Sequence, residues 1–141
     1  MSVDFNQYRA VDEEAAWTDR SSRVRLDVKG PDAAKFLHNL TTNDVKRLAV
    51  GRGCEAFVTS PQGKTLAYVS LIARDGSILV RADAGGLDKA LPHHQKYGIF
   101  DDVAIEDVSA TTLEYHLAGP KAAGWLEEQG ASLPGPEDLG A

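Results

Sequence analysis

Two short runs, Cys54 to Thr59 and Ala67 to Ile72, hold most of the residue types that could recognise a ligand. Strand geometry sends successive side chains to opposite faces. Cys54, Ala56 and Val58 then share one face of the first run, and Ala67, Val69 and Leu71 share one face of the second. Both sets are apolar and are predicted to point into a core. The opposite faces carry Glu55, Phe57 and Thr59, then Tyr68, Ser70 and Ile72. A carboxylate, two aromatic rings and hydroxyls on one surface suit a cleft that stacks a flat heterocycle and hydrogen-bonds its edge. The same pattern equally suits a sheet face half covered by a helix. The ligand-binding candidates are Glu55, Phe57, Tyr68 and Ser70, and no residue is assigned a catalytic role.

Other chemistry is less well supported. Cys54 is the only cysteine, which excludes an intramolecular disulfide and a four-cysteine metal site. Arg52 is its only basic neighbour, so packing explains it better than a reactive thiolate. His93 and His94 are adjacent rather than at helical ligand spacing, and surface solvation explains them. Asp101 and Asp102 read as a polar entry into a strand, and His38 as a solvent-facing or satisfied histidine. No metal site is predicted.

Several elements must position those faces. Asn6 to Ala16 is predicted helical, with Ala15, Ala16 and Trp17 at its apolar end. Arg23 to Val28 alternates strictly, as a half-buried strand does. Gly30 breaks it, and Pro31 suits the first turn of a helix, where its missing N–H costs nothing. Ala33, Phe36, Leu37 and Leu40 form a helical apolar stripe, and Thr41, Thr42 and Asn43 stop the helix or cap a turn at Asp44 to Leu48. Strands follow at Cys54 to Ser60 and Thr65 to Ala73, joined by a Pro61-Gln62-Gly63 turn, and at Ser77 to Ala82. A short helix from Leu87 to Tyr97, strands at Val103 to Val108 and Leu113 to Leu117, and a helix from Lys121 to Gln129 complete the reading. The fold class is α+β, an antiparallel sheet with flanking helices. Residues 1–129 are expected to form one domain, and the Gly- and Pro-rich 130–141 a flexible tail or linker stump.

Composition bounds the partners. The 141 residues carry 15 basic and 21 acidic side chains, a formal charge of −6, which argues against duplex nucleic acid or an anionic membrane as partner. The acidic start lacks a signal-peptide pattern, and no apolar run approaches the roughly 20 residues that span a bilayer. A cytoplasmic location is the expectation.

The run R-V-R-L-D-V-K-G-P-D-A-A-K-F-L-H-N-L-T-T-N-D-V from Arg23 to Val45, with Asp19 to Ser21 before it and L-A-G-P-K-A at Leu117 to Ala122, resembles the N-terminal folate-binding domain of aminomethyltransferases. The resemblance implies tetrahydrofolate, or a one-carbon derivative of it, as cofactor. In those glycine-cleavage T-proteins the folate accepts a methylene group from an aminomethyl-lipoyl carrier. Their hairpin reads G-G-x-x-D-D, with the second acid held to be catalytic. Here the equivalent run is Gly63-Lys64-Thr65-Leu66-Ala67-Tyr68, and a neutral phenol stands at the acid's position. P-Q-G-K-T-L-A and H-Q-K-Y-G-I-F-D-D-V-A-I are similar to segments of the YgfZ-type branch, which binds folate and supports iron–sulfur protein assembly or repair. That branch carries K-G-C-Y-x-G-Q-E in its second half, a signature this chain does not contain.

The resemblance implies a noncatalytic folate-binding protein of YgfZ type, with iron–sulfur client proteins as partners. A folate-dependent one-carbon transferase and a degenerate interaction module without folate are the alternatives. It also brings Asn43 into the binding set, because the T-T-N-D loop lies near the family's folate pocket, although capping explains Asn43 equally well. Lys64 and Arg81 become candidates for folate's glutamate tail. The family's pocket is built from two similar halves plus a further domain. A homodimer, or a missing C-terminal half, is the expected source of the remaining wall.

Overall fold

The structure is a computed structural model, and it describes residues 5–85 and 102–132. The chain forms two compact units. One, here the sheet unit, runs from Ser21 to Leu113; the other, the terminal unit, combines Met1–Arg20 with Glu114–Ala141. The α+β class with antiparallel sheets is as expected.

In the sheet unit the alternating run becomes β2, Val24–Lys29. Gly30 follows at φ 113, and a Cβ there would collide with the Asp102 carbonyl, so both the backbone angle and the close approach demand glycine. Pro31 and Asp32 lead into α2, Ala33–Leu40, and all four residues of its predicted apolar stripe are buried. The Thr41 hydroxyl donates to the Leu37 carbonyl at 2.8 Å, and Thr41 itself is extended, which ends the helix. A single 3-10 turn, Val45–Arg47, follows and buries Val45.

Three further strands then pair in sequence: β3, Gly53–Thr59; β4, Thr65–Arg74; and β5, Ser77–Ala82. The β3–β4 turn is the expected one. Gly63 N–H donates to the Ser60 carbonyl at 2.8 Å, and Gly63 takes φ 78. A register shift beside Val58 and Thr59 marks the accompanying bulge. A short strand, β6, Ala104–Asp107, completes an antiparallel sheet of order β3-β4-β5-β2-β6.

One face of this sheet packs on α2. Leu26, Val28, Val58, Val69, Leu71 and Val80 meet Phe36, Leu37 and Leu40 in a single core. Burying each such side chain stabilises the fold by about 1.5–3 kcal/mol. The other face of β3 and β4 is open: Glu55, Phe57, Tyr68 and Arg74 are exposed on it, and the one exposed residue of the core-side parity is Thr65 at the start of β4, beside the bulge.

In the terminal unit, α1 spans Phe5–Glu13, β1 Ala16–Asp19, β7 Tyr115–Ala118 and α3 Ala122–Glu128. The expected continuation of the first helix through Ala16 is corrected here. Ala16 to Asp19 pair antiparallel with Ala118 to Tyr115, and the Glu14 carbonyl accepts from Lys121 N–H at 2.9 Å instead of extending the helix. Pairing with a segment about a hundred residues away outweighs local helix preference. The predicted helix at Leu87 to Tyr97, the pair His93-His94, Asp101 and most of the tail lie outside the described residues. Among the described residues no helix is long and apolar enough to cross a membrane.

Candidate functional site

The open face of β3 and β4 brings four of the five predicted ligand-binding residues together. Phe57 and Tyr68 are direct cross-strand partners, and so are Glu55 and Ser70. The Phe57 and Tyr68 rings sit 5.3 Å apart at a 53° tilt, the separation at which aromatic pairs attract beyond simple area burial. Both remain nearly half exposed, at 47% and 44%. Two large rings left open on an otherwise well-packed sheet form an apolar patch, and either ring face could stack against a planar ligand.

Glu55 lies diagonal to Tyr68. Its carboxylate, hydrogen-bonded to the phenol, pushes the Tyr68 pKa above the ordinary value; desolvation adds to this and Arg23 opposes it. A phenol that donates its proton to a carboxylate keeps its oxygen lone pairs for a second partner. Tyr68 therefore presents an acceptor to an incoming N–H, not an acid or a base near neutrality. Ser70 extends the polar edge and stands in register between Glu55 and Arg81 of the next strand. Lys64 lies at the hairpin turn, where its backbone closes the Ser60 loop.

Asn43 is placed beside the site but is occupied. Its Nδ2 donates to the Glu55 carbonyl at 2.9 Å, and its Oδ1 accepts from Asp44 N–H at 2.7 Å. The neighbouring Thr42 exchanges bonds with Phe57, donating its N–H to the Phe57 carbonyl and accepting the Phe57 N–H on Oγ1, both at 3.0 Å. The T-T-N loop is thus stitched to β3 at two residues of the candidate site, Glu55 and Phe57. Its visible work is to hold Glu55 and Phe57 in place.

Outside this face, Cys54 is half-buried and burial pushes its thiol up, against reactivity. His38 is half-buried: its Nδ1 lies 3.4 Å from an Asp44 carboxylate oxygen but is shielded from solvent and makes no hydrogen bond, so it is neither the solvent-facing nor the fully satisfied histidine expected. Asp102 N–H donates to the Asp32 carboxylate at 3.1 Å, consistent with a strand-entry role. Among the described residues no group of three or more metal-ligating side chains occurs.

Sequence reasoning missed Arg25. It is 3% exposed, the one buried charged or polar residue among those described. Its Nε donates to Thr112 Oγ1 at 2.8 Å, and its terminal nitrogens to the carbonyls of Ser21, Arg23, Ser109 and Thr112 at 2.7–3.2 Å. A buried guanidinium is tolerated because carbonyls meet it on every side. It pins the loop after β6 to β2. Its position in an alternating strand carried no signal, since half of the carbonyls that satisfy it, those of Ser109 and Thr112, come from more than eighty residues later.

The family called the GCVT N-terminal domain matches residues 4–132. The chain belongs to this family. It is 32% identical over 114 residues to the Arabidopsis thaliana protein named "putative transferase, chloroplastic", covering 80% of this chain and 26% of that one. It is 31% identical over 121 residues to the aminomethyltransferase of Rubrobacter xylanophilus, covering 86% and 32%. The crystal structure of the glycine cleavage system aminomethyltransferase T from Bartonella henselae superposes with a TM-score of 0.81 at 22% identity, covering 94% of this chain and 36% of that one. That likeness fixes the fold. The chain spans about a quarter to a third of the length of these relatives.

Proposed function

We propose that the open face of β3 and β4 is one wall of a reduced-folate site. The observation that carries this reading is the exposed Phe57–Tyr68 pair with the Glu55 carboxylate at its edge. The rings offer an aromatic face for a pterin to stack on. The phenol oxygen, Ser70 and the Glu55 carboxylate offer acceptors to its N–H groups. Folate, when bound in a protein of this family, supplies a carrier for a one-carbon unit. The side chains of this domain orient the heterocycle and shield one face from water.

Two activities fit such a wall. The names of the relatives favour one-carbon transfer of the aminomethyltransferase kind. Tyr68, where the T-proteins carry an acid, weighs toward the narrower YgfZ-type reading, a noncatalytic folate protein that serves iron–sulfur proteins. Methylene transfer to tetrahydrofolate by the purified chain decides for the first; folate binding without transfer decides for the second.

The binding claim is tested by thermal unfolding with 5-formyl-tetrahydrofolate. A ligand at a hundred times its Kd adds about 2.7 kcal/mol of stability, a readily measured rise in Tm. The rise should vanish in Phe57→Ala and Tyr68→Ala. An unchanged Tm at saturating folate would defeat the reading.

A further inference from the structure

The terminal unit has no core of its own. Among its described side chains none is buried, and six of the ten large hydrophobic residues exposed on the described surface belong to it. A two-stranded sheet needs apolar cover to be stable in water. Here Trp17, Tyr115, Leu117, Trp125 and Leu126 instead line an open depression of about 560 Å³. Trp17 and Tyr115 meet edge to face at 5.4 Å, yet Trp17 is 65%, Tyr115 54% and Trp125 48% exposed. Exposed aromatic clusters of this kind mark interaction surfaces. Small-molecule sites place several convergent polar groups around their apolar lining. This depression is lined by two indoles, a phenol and two leucines, so side chains of a protein suit it better.

Charge says what kind of protein. The terminal unit carries three basic residues, Arg9, Arg20 and Lys121, against ten acidic ones, a formal balance of −7. The sheet unit carries twelve basic and eleven acidic residues, a balance of +1. The entire net negative charge of the chain therefore sits with the coreless unit. Acids flank the aromatic residues closely: Asp19 pairs with Tyr115 in the sheet, Glu114 precedes Tyr115, and Glu127 and Glu128 follow Trp125 and Leu126. We infer that this face docks a protein surface with an apolar centre and a Lys/Arg rim. Basic side chains would meet both the acidic rim and the faces of the indoles, which attract cations. A second copy of the chain fits poorly, because it brings a second unit of charge −7 to the same interface.

Trp17 and Trp125 are the only two tryptophans in the sequence, so intrinsic fluorescence reads this surface alone. The full chain is titrated with a short amphipathic helical peptide of leucine and lysine, and with its leucine and glutamate twin. The lysine peptide should shift the emission to the blue and bind at least about tenfold more tightly than the glutamate one, with the advantage shrinking as salt is raised. Trp125→Ser should abolish most of the shift. Glu127→Gln with Glu128→Gln, which leaves the aromatic residues in place, should weaken the lysine peptide several-fold. Equal binding of both peptides, no shift with either, or an unaffected double glutamine variant would overturn the proposal. So would a doubling of the mass in light scattering with the tryptophan emission already blue-shifted, which would make a second copy the occupant.

Discussion

The sheet unit and the terminal unit are built from similar proportions of apolar residues but spend them differently. In the sheet unit, α2 covers one sheet face and a contiguous core forms, with Val69 and Leu71 wholly buried. In the terminal unit, the larger side chains, two tryptophans and a tyrosine among them, stay in water. Apolar content alone would not separate the two. Stability follows whether an element has a partner face to pack on, not how apolar it is. One unit carries its own fold, and the other presents a surface.

The largest effect should come from opening the sheet unit's core. Leu71→Ala is expected to destabilise the chain by about 2–5 kcal/mol, read from the urea midpoint. A loss under about 1 kcal/mol would show that the core is less tightly packed than its burial indicates. Arg25→Met should cost about 3 kcal/mol, since four carbonyls lose their donor while the aliphatic volume is kept. A neutral outcome would mean that water reaches them.

The same measurement on Trp17→Ser or Trp125→Ser should move stability by no more than about 0.5 kcal/mol, because neither ring is buried in the chain itself. A large loss would erase the contrast between the units. Amide exchange offers an independent view: β1 and β7 should exchange well before β4 and β5.

The smallest effect is one of titration. Tyr68's raised pKa means that the folded state favours the neutral phenol. The stabilisation from the Glu55 pair is fully present below the ordinary phenol pKa and is lost as pH rises through the raised value. Glu55→Gln should bring the alkaline absorbance titration of one tyrosine back down toward the ordinary value, with little change in Tm. An identical titration curve would remove Glu55 from the site.

Local patterns carried the sheet unit well. The alternation at Arg23 to Val28, the stripe Ala33, Phe36, Leu37 and Leu40, and the two-faced hairpin all appear where periodicity placed them, because each records a face that must be buried. The face bearing Glu55, Phe57, Tyr68 and Ser70 was legible for the same reason. What escaped depends on distant partners. Strand β1 exists only because Tyr115 to Ala118 come back to pair with it. Arg25 looked like one more polar residue of an alternating strand, and Asn43 looked equally like a cap and a ligand until the Glu55 carbonyl was found against its amide.

The stitching of Thr41, Thr42 and Asn43 along β3 has a consequence for how this protein behaves in concentrated solution. β3 is the outermost strand on its side of the sheet, and such strands can recruit a strand from another molecule and begin a fibril. Thr42 takes both backbone groups of Phe57, and Thr41 bridges to Val58, so the middle of that margin has little left to offer a newcomer. The loop that steadies the aromatic wall also keeps the wall's own strand from becoming a template.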